Sequence, residues 1–160
     1  MQLNQLREEG AMKVGFIGLG IMGRPMAKNL LAAGTDLVVN DINQSAVDDL
    51  IKLGATAASY KEIGSSCDVV LLILPNGDIV QDVLFAQNGV ASALSAGKRV
   101  CDFSSVTPNQ SKECQRRLAE KGVGFMDAPV SGGEPGAVAG TLAIMCGGGP
   151  DSLGALHPIF

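Results

Sequence analysis

A glycine-rich segment near the start of the chain constrains the fold more than any other feature of the sequence. It follows a short apolar run, Val14 to Ile17, and it precedes an amphipathic stretch from about Met22 to Ala33. A strand, a tight turn and a helix in this order form the first unit of a parallel sheet with crossover helices. The segment has the pattern GxGxxG and consists of Gly18, Leu19, Gly20, Ile21, Met22 and Gly23.

The three glycines of this pattern have separate predicted functions. Gly18 permits the tight turn, Gly20 lets the backbone approach a pyrophosphate, and Gly23 lets the helix pack closely against the sheet. Free N–H groups and the dipole at the helix N-terminus favour a bound anion, so the pattern predicts a dinucleotide site. The alternative is a glycine-rich turn that binds no ligand, and the surrounding strand–helix–strand pattern favours the first interpretation.

The rest of the chain continues the alternation of β-branched runs with helix-length segments. The further predicted strands are residues 37–40, a short one near 55, 69–74, 99–102, 124–128 and 142–146. The further predicted helices are residues 45–53, a turn around 61, 79–85, one from 108 to about 122, and one that begins at Pro150 and is still incomplete at Phe160. Residues 130–140 are predicted to form a glycine-rich loop.

This alternation predicts an α/β fold, a Rossmann-type doubly wound and mostly parallel sheet with helices on both faces. The chain has 160 residues, of which 46% are hydrophobic and 18% are charged, and this composition is typical of one globular domain. The first eleven residues are polar and aperiodic. We therefore expect a flexible N-terminal extension at 1–11 and a dinucleotide-binding domain at 12–160.

The composition also argues against several classes of partner. The formal net charge is -4 and no basic cluster is present, which argues against nucleic-acid binding. No run approaches the roughly 20 apolar residues of a membrane-spanning helix. The four cysteines have no CxxC spacing and His157 is the only histidine, so we expect buried reduced thiols and no metal site. A cytoplasmic protein is the resulting expectation.

Asn40 and Asp41 lie at the end of the second predicted strand, with Asp41 eighteen residues after Gly23. A carboxylate there accepts hydrogen bonds from the adenosine ribose hydroxyls and repels a 2′-phosphate, which favours NAD over NADP. The loop that follows contains no basic residue that would favour NADP. The alternative is that Asp41 caps the next helix, although Asn43 or Ser45 can also do so.

Polar or small residues follow the later strands as well. Ligands of an open parallel sheet bind beyond the carboxyl ends of its strands, so Leu74-Pro75-Asn76 is expected to line the nicotinamide side. Ser104 and Ser105 end the next strand, where their hydroxyls can reach cofactor or substrate, or can form a polar turn before Pro108.

The loop after the sixth predicted strand contains consecutive small residues. Ser131, Gly132 and Gly133 can present several backbone N–H groups in one concavity, which suits a substrate carboxylate. The residues alone therefore predict an anion-binding loop.

Two long motifs resemble signatures of the β-hydroxyacid dehydrogenase family. FIGLGIMGRPMAKNLL, from Phe16 to Leu31, is similar to the opening signature of that family. DAPVSGGEPGAVAGTLAIMCGG, from Asp127 to Gly148, is similar to its substrate loop and the following strand. The family includes 3-hydroxyisobutyrate dehydrogenases and 2-hydroxy-3-oxopropionate (tartronate semialdehyde) reductases, and the wording SGGEPGAVAGTL is most similar to the reductases. The resemblance extends over residues 12–160.

The resemblance implies hydride transfer between nicotinamide and a small 3-hydroxy acid or its semialdehyde, such as tartronate semialdehyde, 3-hydroxyisobutyrate or glyoxylate. It implies that Ser131, Gly132 and Gly133 anchor the substrate carboxylate, while the glycine-rich turn and Asp41 hold NAD or NADP.

The general acid/base of the family is a lysine on a helix beyond this domain. No Lys or Arg follows Lys121, so we expect the family's lysine to lie beyond Phe160, together with the all-helical second domain. The resemblance therefore implies no catalytic residue within these 160 residues.

Two other functions are compatible with the pattern. The first is a non-catalytic dinucleotide-binding module, since the family's lysine is absent. The second is a methyl-donor enzyme on a similar sheet, against which the substrate loop argues. The resemblance also allows a homo-oligomer.

Overall fold

The computed structural model describes residues 12–148, 153–154 and 156–160. The predicted N-terminal extension and Pro150, the predicted start of the last helix, lie outside these residues.

The structure corrects the prediction that the last helix continues through Phe160. Residues 153, 154 and 156 are helical, but His157–Ile159 form a 3-10 turn, and Phe160 follows this turn outside any helix. Pro158 supplies the physical reason, because it has no backbone N–H to donate to the preceding turn of an α-helix.

A parallel sheet forms the centre of the molecule. Its strands are β1 (Lys13–Ile17), β2 (Asp36–Asn40), β3 (Thr56–Ala57), β4 (Val69–Leu72), β5 (Arg99–Asp102) and β6 (Gly124–Asp127). They are ordered β3-β2-β1-β4-β5-β6, and every pairing between them is parallel. The strand order reverses between β1 and β4, as it does in doubly wound folds that bind dinucleotides at this point. The predicted fold class is confirmed.

Helices cover both faces of the sheet. They are α1 (Gly23–Ala32), α2 (Gln44–Ile51), α3 (Tyr60–Ser66), α4 (Gly77–Phe85), α5 (Pro108–Ala119) and α6 (Gly133–Ala139). Local sequence sets several of their starts. Ser59 and Thr107 form capping boxes with residues three positions later, and Pro108 occupies the first turn of α5. Each cap binds backbone N–H groups that the first turn of a helix leaves free.

The hydrophobic core lies in two layers, one on each face of the sheet. α1 and α2 pack on one face over Val14, Phe16 and Leu71. α3, α4 and α5 pack on the other face over Val70 and Leu72. All four residues of β4 are buried because both of its faces are covered, as is typical of the apolar strands of a parallel sheet.

The structure also corrects the prediction of a glycine-rich loop at residues 130–140. These residues contain a short strand, β7 (Val130–Ser131), and α6. β7 pairs antiparallel with β8 (Ala143–Ile144), so the strand predicted at 142–146 is shorter and lies outside the parallel sheet. Glycine has a low helix propensity, so the sequence of this segment does not predict a helix. Tertiary contacts stabilise α6 instead. The Asn29 side-chain amide of α1 donates a hydrogen bond to the Ala137 carbonyl oxygen at 2.8 Å.

Cys67, Cys101 and Cys114 are buried, as predicted, whereas Cys146 is exposed. Within the described ranges, every helix is too short or too polar to cross a bilayer.

Substitution of a central leucine tests the importance of the sheet. Leu71→Ala removes a side chain that is 0% exposed, and we expect it to lower the free energy of unfolding by about 2–5 kcal/mol. Leu53→Ala is the matched control because Leu53 is 55% exposed, and its expected effect is within about 0.5 kcal/mol. Urea denaturation of the two variants measures the difference, and equal losses would contradict the assigned core.

Candidate functional site

The turn between β1 and α1 brings three stretches of backbone close together. Gly18 has φ +99°, and its N–H donates a hydrogen bond to the Asn40 carbonyl oxygen at 3.1 Å. A Cβ atom on Gly18 would overlap the carbonyl oxygen of Ile73, the residue after β4. Only glycine readily adopts this positive φ and also fits where a Cβ atom would not, so the turn requires Gly18.

Gly23 and Gly20 differ in the space around them. A Cβ atom on Gly23 would overlap the Gly18 carbonyl oxygen, so Gly23 permits the close approach of α1 to the turn. A Cβ atom on Gly20 would meet no atom within 4 Å. The fold therefore requires no glycine at position 20, and the space above it is open to a ligand.

The loop also presents unused hydrogen-bond donors. In the described part of the chain, the backbone N–H groups of Gly20, Ile21 and Met22 form no backbone hydrogen bond. They precede the first turn of α1, where the helix dipole contributes partial positive charge. Successive free N–H groups at a helix N-terminus form an anion site that needs no lysine.

The Asp41 carboxylate joins this loop to the turn before α2. One of its oxygens accepts a hydrogen bond from the Leu19 N–H at 2.5 Å, and the other accepts one from the Asn43 N–H at 2.7 Å. Asn43 itself caps α2, since its side chain accepts a hydrogen bond from the Ser45 N–H. Asp41 is therefore not the cap of α2, and it lines the cavity beside the loop.

Asn40, which is predicted to contact the cofactor, forms hydrogen bonds within the protein. Its side-chain amide donates a hydrogen bond to the Ala58 carbonyl oxygen at 2.6 Å, which ties the end of β2 to the segment before α3. Its backbone oxygen accepts the Gly18 hydrogen bond. Asn40 lies outside the cavity lining, so it supports the loop from behind.

A cavity of about 450 Å³ opens between the glycine-rich loop and the end of β4. Most of its lining is apolar, as suits the flat rings of a nucleotide. Representative lining residues are Gly20, Ile21, Asp41, Tyr60, Leu74 and Pro75. Tyr60 is half-buried, and this burial, with a smaller contribution from the Asp41 charge, raises the pKa of its phenol. The loop, Asp41 and the Leu74-Pro75 segment thus meet at one cavity.

A second hollow, of about 580 Å³, lies on the other side of Gly20. Arg24 and Lys28 of α1 line it, although sequence reasoning assigned neither of them to the site. Arg24 forms an ion pair with Asp49 of α2, and both side chains are more than a third exposed. Only the packing of α1 against α2 makes this pairing, so no local pattern in the sequence indicates it.

The segment after β4 is held by the residues that end β5. The Leu74 N–H donates a hydrogen bond to the Ser104 hydroxyl at 2.8 Å, and the Ser104 N–H donates one to Asp102 at 2.9 Å. Ser104 is buried and supports the turn, whereas Ser105 is exposed. Asn76 caps α4 by accepting a hydrogen bond from the Ile79 N–H at 3.0 Å. Of the serine pair, only Ser105 remains free to contact a ligand.

The predicted substrate loop is exposed and precedes α6. Gly132 and Gly133 have φ values of +139° and +60°, which turn the chain sharply from β7 into this helix. Ser131, Gly132 and Gly133 line neither of the two hollows, although the adjacent Glu134 lines the second one. The predicted substrate loop thus lies beside α1 and apart from the cavity at Leu74.

Phe160 packs against Phe103. Its ring meets the Phe103 ring edge-on, with centroids 6.1 Å apart and an angle of 68° between the planes. It borders an apolar hollow of about 300 Å³ on the face of the sheet that α1 covers, and it lines neither hollow beside Gly20. A phenyl ring has no proton to exchange, so Phe160 itself is not a candidate acid or base.

Residues 13–160 match a family model described as the NAD binding domain of 6-phosphogluconate dehydrogenase. The chain is 43% identical over 150 residues to 2-hydroxy-3-oxopropionate reductase of Escherichia coli (strain K12), covering 93% of this chain and 51% of that protein. It is 41% identical over 149 residues to NAD-dependent L-serine dehydrogenase of Pseudomonas aeruginosa, covering 92% of this chain and 50% of that protein.

A solved structure shows the same fold. The 3-hydroxyisobutyrate dehydrogenase of Mycobacterium tuberculosis, in a structure with L-serine, is 32% identical and superposes with a TM-score of 0.88, covering 94% of this chain and 51% of that one. The chain spans about half the length of the curated relatives it matches. These findings confirm the resemblance drawn from the two sequence motifs. The chain belongs to the β-hydroxyacid dehydrogenase family and contains its NAD-binding domain.

Proposed function

We propose that this chain binds NAD(H) for an oxidoreductase that transfers hydride between nicotinamide and a small 3-hydroxy acid or its semialdehyde. The observation that carries the proposal is the open space and the free N–H groups at Gly20, at the N-terminus of α1. A pyrophosphate supplies the negative charge and the acceptor oxygens that such a site favours.

The rest of the dinucleotide is assigned from the two ends of the cavity. The adenosine ribose lies at Asp41, whose oxygens keep lone pairs beyond the two backbone hydrogen bonds that they accept. The nicotinamide lies toward Leu74-Pro75-Asn76 and Ser105, beyond the ends of β4 and β5. Asn40 supports the ribose side from behind the loop, through its bonds to Gly18 and Ala58.

The charges around the ribose support NAD over NADP. A 2′-phosphate at this position would meet the carboxylate of Asp41. Of the two cations that line the second hollow, Arg24 and Lys28, Arg24 forms an ion pair with Asp49, which reduces the positive charge available to a phosphate there. The relative from Pseudomonas aeruginosa is named as an NAD-dependent enzyme, which agrees with this preference.

The substrate class is proposed from the loop and from the relatives. Ser131, Gly132 and Gly133 are exposed and carry backbone donors suited to a carboxylate. The relatives are named for a 2-hydroxy-3-oxopropionate reductase and an L-serine dehydrogenase, and the solved structure contains L-serine. These compounds are short carboxylic acids with a hydroxyl or aldehyde group on carbon 3. We assign this class of substrate to the protein.

Paired aspartate variants test the cofactor preference. We expect calorimetric titration of the unaltered chain to show tighter binding of NADH than of NADPH. Asp41→Asn should lower the ratio of NADH affinity to NADPH affinity by about tenfold, because it removes the repulsion between the carboxylate and the 2′-phosphate. A tenfold change corresponds to about 1.4 kcal/mol. Asp48→Asn makes the same change of charge on the exposed face of α2 and should leave the ratio unchanged. Tighter binding of NADPH by the unaltered chain would refute the role of Asp41.

Paired glycine variants test the pyrophosphate site. Gly20→Ala should leave the melting temperature nearly unchanged, because its Cβ atom meets nothing, yet weaken NADH binding about tenfold or more by occupying the ligand space. Gly23→Ala should lower the free energy of unfolding by about 1–3 kcal/mol through overlap with the Gly18 carbonyl. Unchanged NADH affinity in Gly20→Ala would place the pyrophosphate elsewhere.

We expect the 160-residue chain alone to give no measurable turnover. No Lys or Arg lies between Lys121 and Phe160, so the substrate loop has no amine near it in sequence that could exchange a proton with the carbinol oxygen. The assay is oxidation of NADH at 340 nm with tartronate semialdehyde as substrate, with 2-hydroxy-3-oxopropionate reductase as the positive control. Turnover that rises with the concentration of the purified chain would contradict this expectation and would require an acid within these residues.

A further inference from the structure

Two aspartates end neighbouring strands at the edge of the sheet where the site lies. Asp102 is the last residue of β5, Asp127 is the last residue of β6, and the parallel register pairs them directly. Both follow the alternation of their strands, two residues after Val100 and Phe125, which pack in the core layer beneath α5. The two side chains therefore leave the same face of the sheet at adjacent positions, with the strands about 4.8 Å apart.

Both carboxyl groups have an unsatisfied oxygen. Asp102 is 1% exposed, and one of its oxygens accepts the hydrogen bond from the Ser104 N–H. The other oxygen of Asp102 and one oxygen of Asp127 are buried and have no hydrogen-bond partner among the residues that the structure describes. A buried carboxylate oxygen without a donor is costly, so two of them at paired positions need an explanation.

A lysine lies near one of the two carboxyls, but it pairs with neither of them among the described residues. Among the described residues, the ion pairs include neither Asp102 nor Asp127. Lys112 of α5 lines the same hollow as Asp127, of about 250 Å³, without forming an ion pair to it. Two buried thiols also interact with the pair: Cys101 of β5 with both aspartates, and Cys114 of α5, beside Arg117 and Glu113, with Asp102. Burial raises the pKa of Cys101 and Cys114, so these two carry no charge at neutral pH.

We propose that Asp102 and Asp127 share a single proton in a carboxyl–carboxylate hydrogen bond that joins the ends of β5 and β6. One proton provides the donor that both unsatisfied oxygens lack, and it leaves one negative charge where two would repel each other. The pKa of each carboxyl is consistent with this arrangement. Burial raises the pKa of both, and the neighbouring charge of Asp127 raises that of Asp102 further.

The shared proton makes the two aspartates positioning residues for the loops on either side. Asp102 holds Ser104, and Ser104 holds the Leu74 N–H at the nicotinamide end of the cavity. Asp127 directly precedes the segment that leads to Ser131 in the substrate loop. Their hydrogen bond would therefore set the distance between the cofactor segment and the substrate loop. This consequence rests on the proposed function, whereas the shared proton does not.

The direct test is a carboxyl-carbon NMR titration of the full 160-residue chain without dinucleotide. We expect the pair to protonate in two separated steps, one of them well above the ordinary aspartate value of about 3.9. Asp127→Asn should lower the pKa of Asp102 by about one unit or more, because it removes a like charge and supplies an amide donor. Ordinary titration of both carboxyls, or no change of Asp102 in that variant, would overturn the proposal.

Thermal unfolding between about pH 4 and pH 8 gives a second readout. A carboxyl whose pKa is raised on folding binds more protons when folded, so the wild type loses stability as pH rises from the ordinary value through the raised one. Asp102→Asn mimics the protonated acid and should lack this loss. The difference between its melting temperature and that of the wild type should therefore increase as the pH rises. Asp48→Asn, the exposed control, should run parallel to wild type. An Asp102→Asn curve that also runs parallel to wild type would contradict the shared proton.

Backbone amide signals test the link to the two loops. In the wild type, the signals of Leu74 and Ser131 should move together at the upper step of the pair, and in Asp102→Asn they should not move at that pH. Signals that stay fixed in the wild type would refute the positioning role. Because these measurements use no dinucleotide, a failure of NADH binding would count against the proposed function alone.

Discussion

The close approach of three backbone segments at the end of β1 is the constraint on which the site depends. Gly18 turns the chain beneath the Ile73 carbonyl, and Gly23 brings the first turn of α1 against Gly18 itself. A side chain at either position would force α1 away from the sheet. With α1 held there, the N–H groups around Gly20 face an open cavity at the point where the strand order reverses. The dinucleotide site is thus a consequence of how tightly this turn packs.

Acidic side chains connect this turn to its surroundings. Asp41 accepts hydrogen bonds from both the glycine-rich loop and the turn before α2, so the residue proposed to bind ribose also holds the loop in place. Asp102 plays a comparable part beyond the end of β4, where it supports Leu74 through Ser104. In each case a single acidic side chain at the carboxyl end of a strand fixes loop backbone that local sequence leaves free. These acidic side chains therefore stabilise the loops that border the cavity.

The family relationship and the geometry of the site support different parts of the functional assignment. Similarity over 92–93% of this chain to a curated reductase and a curated dehydrogenase shows the family and the dinucleotide-binding domain. It does not distinguish among hydroxy acids, because those relatives are named for different compounds and the chain spans about half of each. The proposed preference for NAD rests instead on local electrostatics, because Asp41 lines the cavity beside the glycine-rich loop and Arg24 forms an ion pair with Asp49.

The sequence by itself determined the fold class, the places of the six parallel strands along the chain, the glycine-rich turn and the location of Asp41 at the end of the second strand. These features are local, since a hydrophobic period or a glycine pattern within a few residues specifies each of them. Only the tertiary structure decided that α6 forms within a glycine-rich stretch, that Asn40 supports the loop from behind, that Arg24 pairs with Asp49, and that Asp102 lies beside Asp127. Each of these depends on contacts between residues distant along the chain, and such contacts leave no periodic signal in the sequence.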